Sequence, residues 1–162
     1  MQKLSTKETV TFAVLTALTV IMTMVIRIPA VVTNGYVNLG DMVVLFSAML
    51  LGKKAGFFVG GFGSALADLL LGYAYYAPIT FVVKGLEGFL CGWLYHRTIK
   101  KRPLFATILA GLWMACGYFI AETFMYTFGA ALASIPGNVA QGAIGAVAAL
   151  LLEKSIGKQL KR

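Results

Sequence analysis

Six stretches of the chain are apolar enough to form helices in lipid, at roughly 8–27, 40–52, 55–72, 78–97, 104–131 and 136–157. A spanning helix needs about 20 such residues, within a range of ~17–25. The second stretch is short and meets the third through Gly52-Lys53-Lys54, which predicts a tilted or partly spanning helix. The fifth is long enough to tilt or to project past the lipid. The pattern predicts an all-α membrane protein: one domain over residues 1–162, folded as a bundle of six transmembrane helices. No long-period repeat divides the chain, so an inverted-repeat carrier is not supported.

Polar residues interrupt these runs at particular depths. At ~1.5 Å rise per residue, Lys84 lies roughly 9 Å in from Pro78 and Glu87 roughly 13 Å. Glu122 lies roughly 10 Å from Gly129, and Asp68 roughly 6 Å from Gly72. Asn138 and Gln141 fall roughly 3 and 8 Å below Pro136, read as the start of the sixth span. Four spans therefore place polar groups in one half of the membrane, while the other half is nearly all aliphatic or aromatic. An ion path needs polar groups at successive depths. A pocket open on one side and sealed on the other needs only this distribution. Ionisable groups within membrane helices cost about 3 kcal/mol each on insertion scales and normally line a cavity.

Each group also has a plainer reading. Lys84 and Glu87 are three apart on one helix face and can form a structural ion pair. Asp68 could cap a neighbouring helix or bind ligand. Asp41 suits the positive end of the second helix and is read as structural. Asn138 fits a helix cap as well as a ligand contact. Glu122 has no charged neighbour in its own stretch, so its partner is Lys84, another helix or a ligand. His96 is placed at the interface. Tyr73, Tyr75 and Tyr76 read either as an aromatic belt or as a lid, with at least one expected to face the site.

Composition fits a membrane protein: 59% of residues are hydrophobic, 12% are charged and the mean hydropathy is +0.83. A soluble domain is about half apolar and about a quarter charged. The net charge of +8 does not point to nucleic acid, because the basic residues sit in short loops rather than in an arm or a groove-reading helix. With six spans, twelve of them (Lys3, Lys7, Lys53, Lys54, Arg97, Lys100, Lys101, Arg102, Lys154, Lys158, Lys161 and Arg162) fall on one side and only Arg27 on the other. The positive-inside rule then puts both termini in the cytoplasm. The first span lacks a small-x-small cleavage site and is read as retained.

Catalytic signatures are missing: there is no G-x-S-x-G, no HExxH and no paired histidine, and GKKAG lacks the Walker spacing. Cys91 and Cys116 read as two buried small hydrophobes rather than a disulfide or zinc site. No enzyme activity, metal or cofactor is expected. Small-xxx-small faces recur at Gly56/Gly60, Gly88/Gly92 and Ala13/Ala17, the spacing that lets membrane helices approach closely.

The blocks NLGD, LLGKKAGFFVGGFGSALADLLLGY, YAPITFVVKGLEG and PGNVAQGAIG together resemble the S components of energy-coupling factor (ECF) transporters, nearest the hydroxymethylpyrimidine and pyridoxine types. Those are six-helix proteins of prokaryotic plasma membranes that capture vitamins. The resemblance covers nearly the whole chain. It implies a T component and two ATPase subunits as partners, with Ala13 and Ala17 on the docking face. It also implies a ligand held near the outer face by the fourth to sixth spans under the first loop, at Lys84, Glu87, Glu122 and Asn138. Tyr118, Asp68 and Gln141 are further candidates, and Tyr36 stands in for a first-loop tryptophan of some relatives. Thiamin or riboflavin as ligand, and a scaffold protein without ligand, are the alternatives.

Overall fold

The computed structural model of the protein describes residues 6–30, 33, 35–98 and 102–160. Its principal helices are α1 (Thr6–Val25), α2 (Gly40–Leu51), α3 (Lys53–Leu70), α4 (Ala77–Trp93), α5 (Pro103–Met125) and α6 (Phe128–Leu152), followed by a single turn, α7 (Lys158–Leu160). α4 and α6 each run on into a wider π-type turn, at Leu94–Thr98 and Glu153–Gly157. Helices α1 and α5, and α4 and α6 with their π turns, are long and apolar enough to cross a membrane. The chain is an all-α membrane protein with one small addition. β1 (Arg27–Pro29) and β2 (Tyr36–Asn38) pair antiparallel, Arg27 opposite Asn38 and Pro29 opposite Tyr36. Three-residue strands are too short to leave an alternating pattern, and the first loop gave no sign of them.

The short second helix is the centre of the bundle. Ten of its twelve residues are buried, Gly40 and Asp41 at its start and Val43 to Leu50 beyond. A helix that is apolar all round belongs in a core, and at roughly 18 Å it is shorter than the lipid is thick. α1, α3, α4 and α6 surround it. Lipid is as apolar as a leucine side chain, so close packing rather than the hydrophobic effect holds these helices together.

The tightest seam runs between α3 and α4, where two of the small-residue motifs meet. A Cβ added at Gly88 would fall 2.1 Å from the carbonyl oxygen of Gly56, and one added at Gly56 would fall 2.4 Å from that of Gly88. Only glycine at both positions allows the two backbones to touch. The third motif points the other way: Ala13 and Ala17 are exposed, on the face of α1 opposite buried Leu15, Thr19 and Thr23.

The last two helices correct the sequence reading. The break falls at Tyr126 and Thr127, where the Thr127 hydroxyl caps α6 by accepting from the Ala130 amide at 3.2 Å. Pro136 therefore lies inside α6 rather than at its start. A proline is tolerated within a membrane helix when neighbours satisfy the freed backbone group. Asn138 and Gln141 thus lie deep along α6, and Glu122 lies in the last turn of α5. Of the cysteines, both free, Cys91 is buried as expected, but Cys116 is exposed on the outward face of α5.

Candidate ligand-binding site

A cavity of about 290 Å³ opens at the end of the bundle away from Lys53, Lys54 and Arg102. The β ribbon covers it, and α1, α3, α4, α5 and α6 supply its walls. Its polar lining is Thr23 and Thr33, Tyr36 and Asn38 from the ribbon, Ser64 and Asp68 from α3, Tyr76, Thr80 and Lys84 around α4, Tyr118 and Glu122 from α5, and Ser134, Asn138 and Gln141 from α6.

Beneath the cavity lies a buried charge cluster. The Lys84 ammonium, 1% exposed, donates to the carboxylate of Asp41 and, at 3.1 Å, to Glu87 Oε2. Neither Asp41 nor Glu87 is on the cavity wall. Gln141 Nε2 donates to both oxygens of Asp41, at 3.2 and 3.1 Å, while Gln141 Oε1 accepts from the Asn38 amide at 2.8 Å. Gly145 makes this geometry accessible, since a Cβ there would fall 2.5 Å from that of Asp41. A buried ion is tolerable only when charge and hydrogen bonds compensate it, and here one ammonium serves two carboxylates. Glu87 Oε1 has no partner among the described residues.

The upper wall holds two more carboxylates. Glu122 accepts from the Tyr76 hydroxyl at 3.1 Å on Oε1 and from Ser134 on Oε2. Tyr76 also reaches the Thr33 carbonyl at 3.0 Å, which fastens the ribbon side of the cavity to α4. Asp68 accepts from the Tyr36 hydroxyl, and the Tyr36 ring packs on Tyr73 with centroids 4.9 Å apart. Burial, and after it the Asp68 charge, raises the Tyr36 phenol well above its ordinary pKa, so it stays a donor. Tyr118 donates to Thr80 at 3.1 Å, and its ring faces Lys84 Nζ at 5.9 Å, within cation–π range.

A family model described as "ECF-type riboflavin transporter, S component" matches residues 3–158. The chain belongs to this family. Among curated proteins, an uncharacterized protein in the gap 3' region of Pyrococcus woesei is 38% identical over 144 residues, covering 86% of this chain and 97% of the relative. The thiamine precursor transporter HmpT of Lactococcus lactis subsp. cremoris is 29% identical over 151 residues, covering 93% and 87%. Membership makes the protein a transport subunit of the membrane rather than an enzyme.

In this S component the cavity wall includes seven of the eight residues singled out from sequence: Lys84, Glu122, Asn138, Tyr118, Tyr36, Asp68 and Gln141. Glu87 stands behind Lys84, off the wall. Of the three loop tyrosines, Tyr76 lines the cavity, while Tyr75 is exposed. Sequence reasoning passed over Thr23, Thr80, Ser134 and Asn38. The threonines of α1 carried a usable signal, because Thr16, Thr19 and Thr23 recur at helical spacing and the last two are buried. The pairing of Asp41 with Lys84, 43 residues apart, had none.

Proposed function

We propose that this S component captures a small water-soluble vitamin or vitamin precursor with a single ring, of the hydroxymethylpyrimidine or pyridoxine type. The observation that carries the reading is the roofed cavity of about 290 Å³, whose largely apolar surface is set with polar side chains. That is at the lower edge of the ~300–1,000 Å³ of drug-sized sites, which suits one ring better than a tricyclic flavin with its side chain. The resemblance to a relative named a thiamine precursor transporter supports the same class. Lys84, Tyr118, Tyr36, Asp68, Glu122, Asn138 and Gln141 form the binding wall, and Glu87 tunes Lys84 from behind. Riboflavin is the second reading, favoured by the description of the matching family model.

The six helices pass alternately between the two faces of the plasma membrane, the short α2 covering only part of the lipid's thickness from within the core, with the termini and basic loops in the cytoplasm and the cavity facing outward. Of the residues behind that topology, Lys3, Lys100, Lys101, Lys161 and Arg162 lie outside the described residues. Delivery proceeds by docking on a T component driven by two ATPase subunits, with the exposed Ala13 and Ala17 as the contact. The purified chain is tested by thermal stabilisation and by mass spectrometry of whatever copurifies. Ligand at a hundredfold excess over Kd adds about 2.7 kcal/mol, which raises the melting midpoint by roughly 5–11 °C. Hydroxymethylpyrimidine or pyridoxine producing that shift supports the reading. A shift from riboflavin alone selects the second one. No shift from any vitamin, and none copurified, overturns both.

A further inference from the structure

We propose that Asp68 reads a hydrogen-bond donor on the ligand ring, so that the site takes the free alcohol of a donor-bearing heterocycle and rejects its phosphate ester. The inference rests on the function proposed above and narrows its substrate class. Asp68 is 3% exposed and on the cavity wall. One of its oxygens accepts from Tyr36, and the other, Oδ2, has no partner among the described residues. The Thr80 hydroxyl accepts from Tyr118, keeps its own proton and stands near the carboxylate, but it makes no hydrogen bond to Oδ2. A buried carboxylate oxygen without a donor is costly, and an ionised carboxylate can only accept. The ligand group that completes it is an aromatic amine, a ring hydroxyl or a protonated ring nitrogen.

Glu122, the other carboxylate on the wall, differs because both its oxygens already receive protein hydroxyls. Asp68 is therefore the acceptor with capacity to spare. The wall is also poor in cations. Lys84 is the one lysine or arginine among its described residues, and it is committed to Asp41 and Glu87 behind it. A phosphate group entering this cavity would meet two carboxylates and no uncommitted cation. Phosphate sites instead supply arginine, free lysine or a fan of backbone amides.

The test titrates the purified full chain in detergent with hydroxymethylpyrimidine and with pyridoxine. Each parent is compared with its phosphate ester and with the analogue lacking the ring amine or ring hydroxyl. On the native protein, removing the donor or adding the phosphate should weaken binding about tenfold to a hundredfold, the scale of one hydrogen bond to a charged group. Asp68→Asn should weaken the parent by a similar factor and leave the donor-less analogue within about threefold, because the lost bond is counted only once in a cycle. Size-exclusion behaviour controls for folding, and if the variant does not fold, the comparisons on the native protein still decide. A phosphate ester that binds as well as its alcohol overturns the inference. So does an Asp68→Asn loss equal for both parent and analogue, which would give Asp68 a purely structural role. Either result leaves the transport reading standing, whereas no binding by either parent removes the single-ring reading and this inference with it.

Discussion

Replacing Lys84 by methionine removes a cation from the core while keeping most of the volume. Among the described residues, Asp41 would retain only Gln141 Nε2 as donor, and Glu87 would lose the one hydrogen bond it accepts. Breaking a buried pair by deleting one partner costs about 3–5 kcal/mol. Two carboxylates depend on this ammonium, so the upper part of that range is expected. For a chain of this length each kcal/mol shifts the midpoint by about 2–4 °C, so a loss of about 4–5 kcal/mol predicts a fall of roughly 8–20 °C. Fluorescence-detected size exclusion after heating in detergent measures it. The decisive comparison is the triple variant Asp41→Asn, Lys84→Met, Glu87→Gln, which deletes all three charges together. Replacing a whole buried ionic group is often neutral or stabilising, so this protein should melt above the Lys84→Met single variant. A single variant as stable as the native chain, or a triple variant no better than the single, would refute the account of the cluster.

Gly88→Ala should cost about 1–3 kcal/mol or abolish folding, as overpacking does; its Cβ would sit 2.1 Å from a backbone oxygen that cannot move aside. Ala17→Trp should block assembly with a T component while ligand binding by the isolated chain persists, as read by pull-down and titration; loss of binding with assembly intact would place Ala17 inside the bundle instead. Cysteine labels at Tyr75 should react from outside the cell and at Lys53 only after permeabilisation, and the reverse would turn the cavity to the cytoplasm. A label at Asn34, equally expected to react from outside, falls outside the described residues.

Helix content and the cavity's ionisable residues were legible because both follow from hydropathy and depth. Lys84, Glu122 and Asp68 each stand alone in apolar surroundings, and such a residue is conspicuous in any membrane sequence. The ion pair between Lys84 and Glu87 was legible too, since i,i+3 spacing is local information. What failed was non-local or ambiguous. Pro136 marks a helix start by its usual preference, yet α6 begins at Phe128 behind the Thr127 cap. In a stretch as rich in alanine and glycine as this one, hydropathy does not change at the real boundary. That error misplaced Glu122 along α5 and Asn138 along α6. The helices still brought them together, because α5 and α6 run antiparallel and Ser134 bridges the two, donating to Glu122 and accepting from Asn138 Nδ2 at 3.4 Å. Asp41 stands in the first turn of its helix and is structural, as read, but its hydrogen-bond partners come from α4 and α6. Only tertiary structure could reveal that.

Gln141 gives the roof and the core a common fate. Its amide oxygen receives the backbone of the ribbon at Asn38, and its amide nitrogen holds the carboxylate that neutralises Lys84. Five residues from three helices and the ribbon are thereby strung on one line of polar bonds, from Asn38 through Gln141, Asp41 and Lys84 to Glu87. Lifting the ribbon frees an amide oxygen that, among the described residues, has no second donor except the Asn38 side chain, at 3.5 Å. The bonds that fix the end of the ribbon are therefore continuous with those that hold the central ion cluster, so the cavity's roof and the middle of the bundle share one hydrogen-bonded frame.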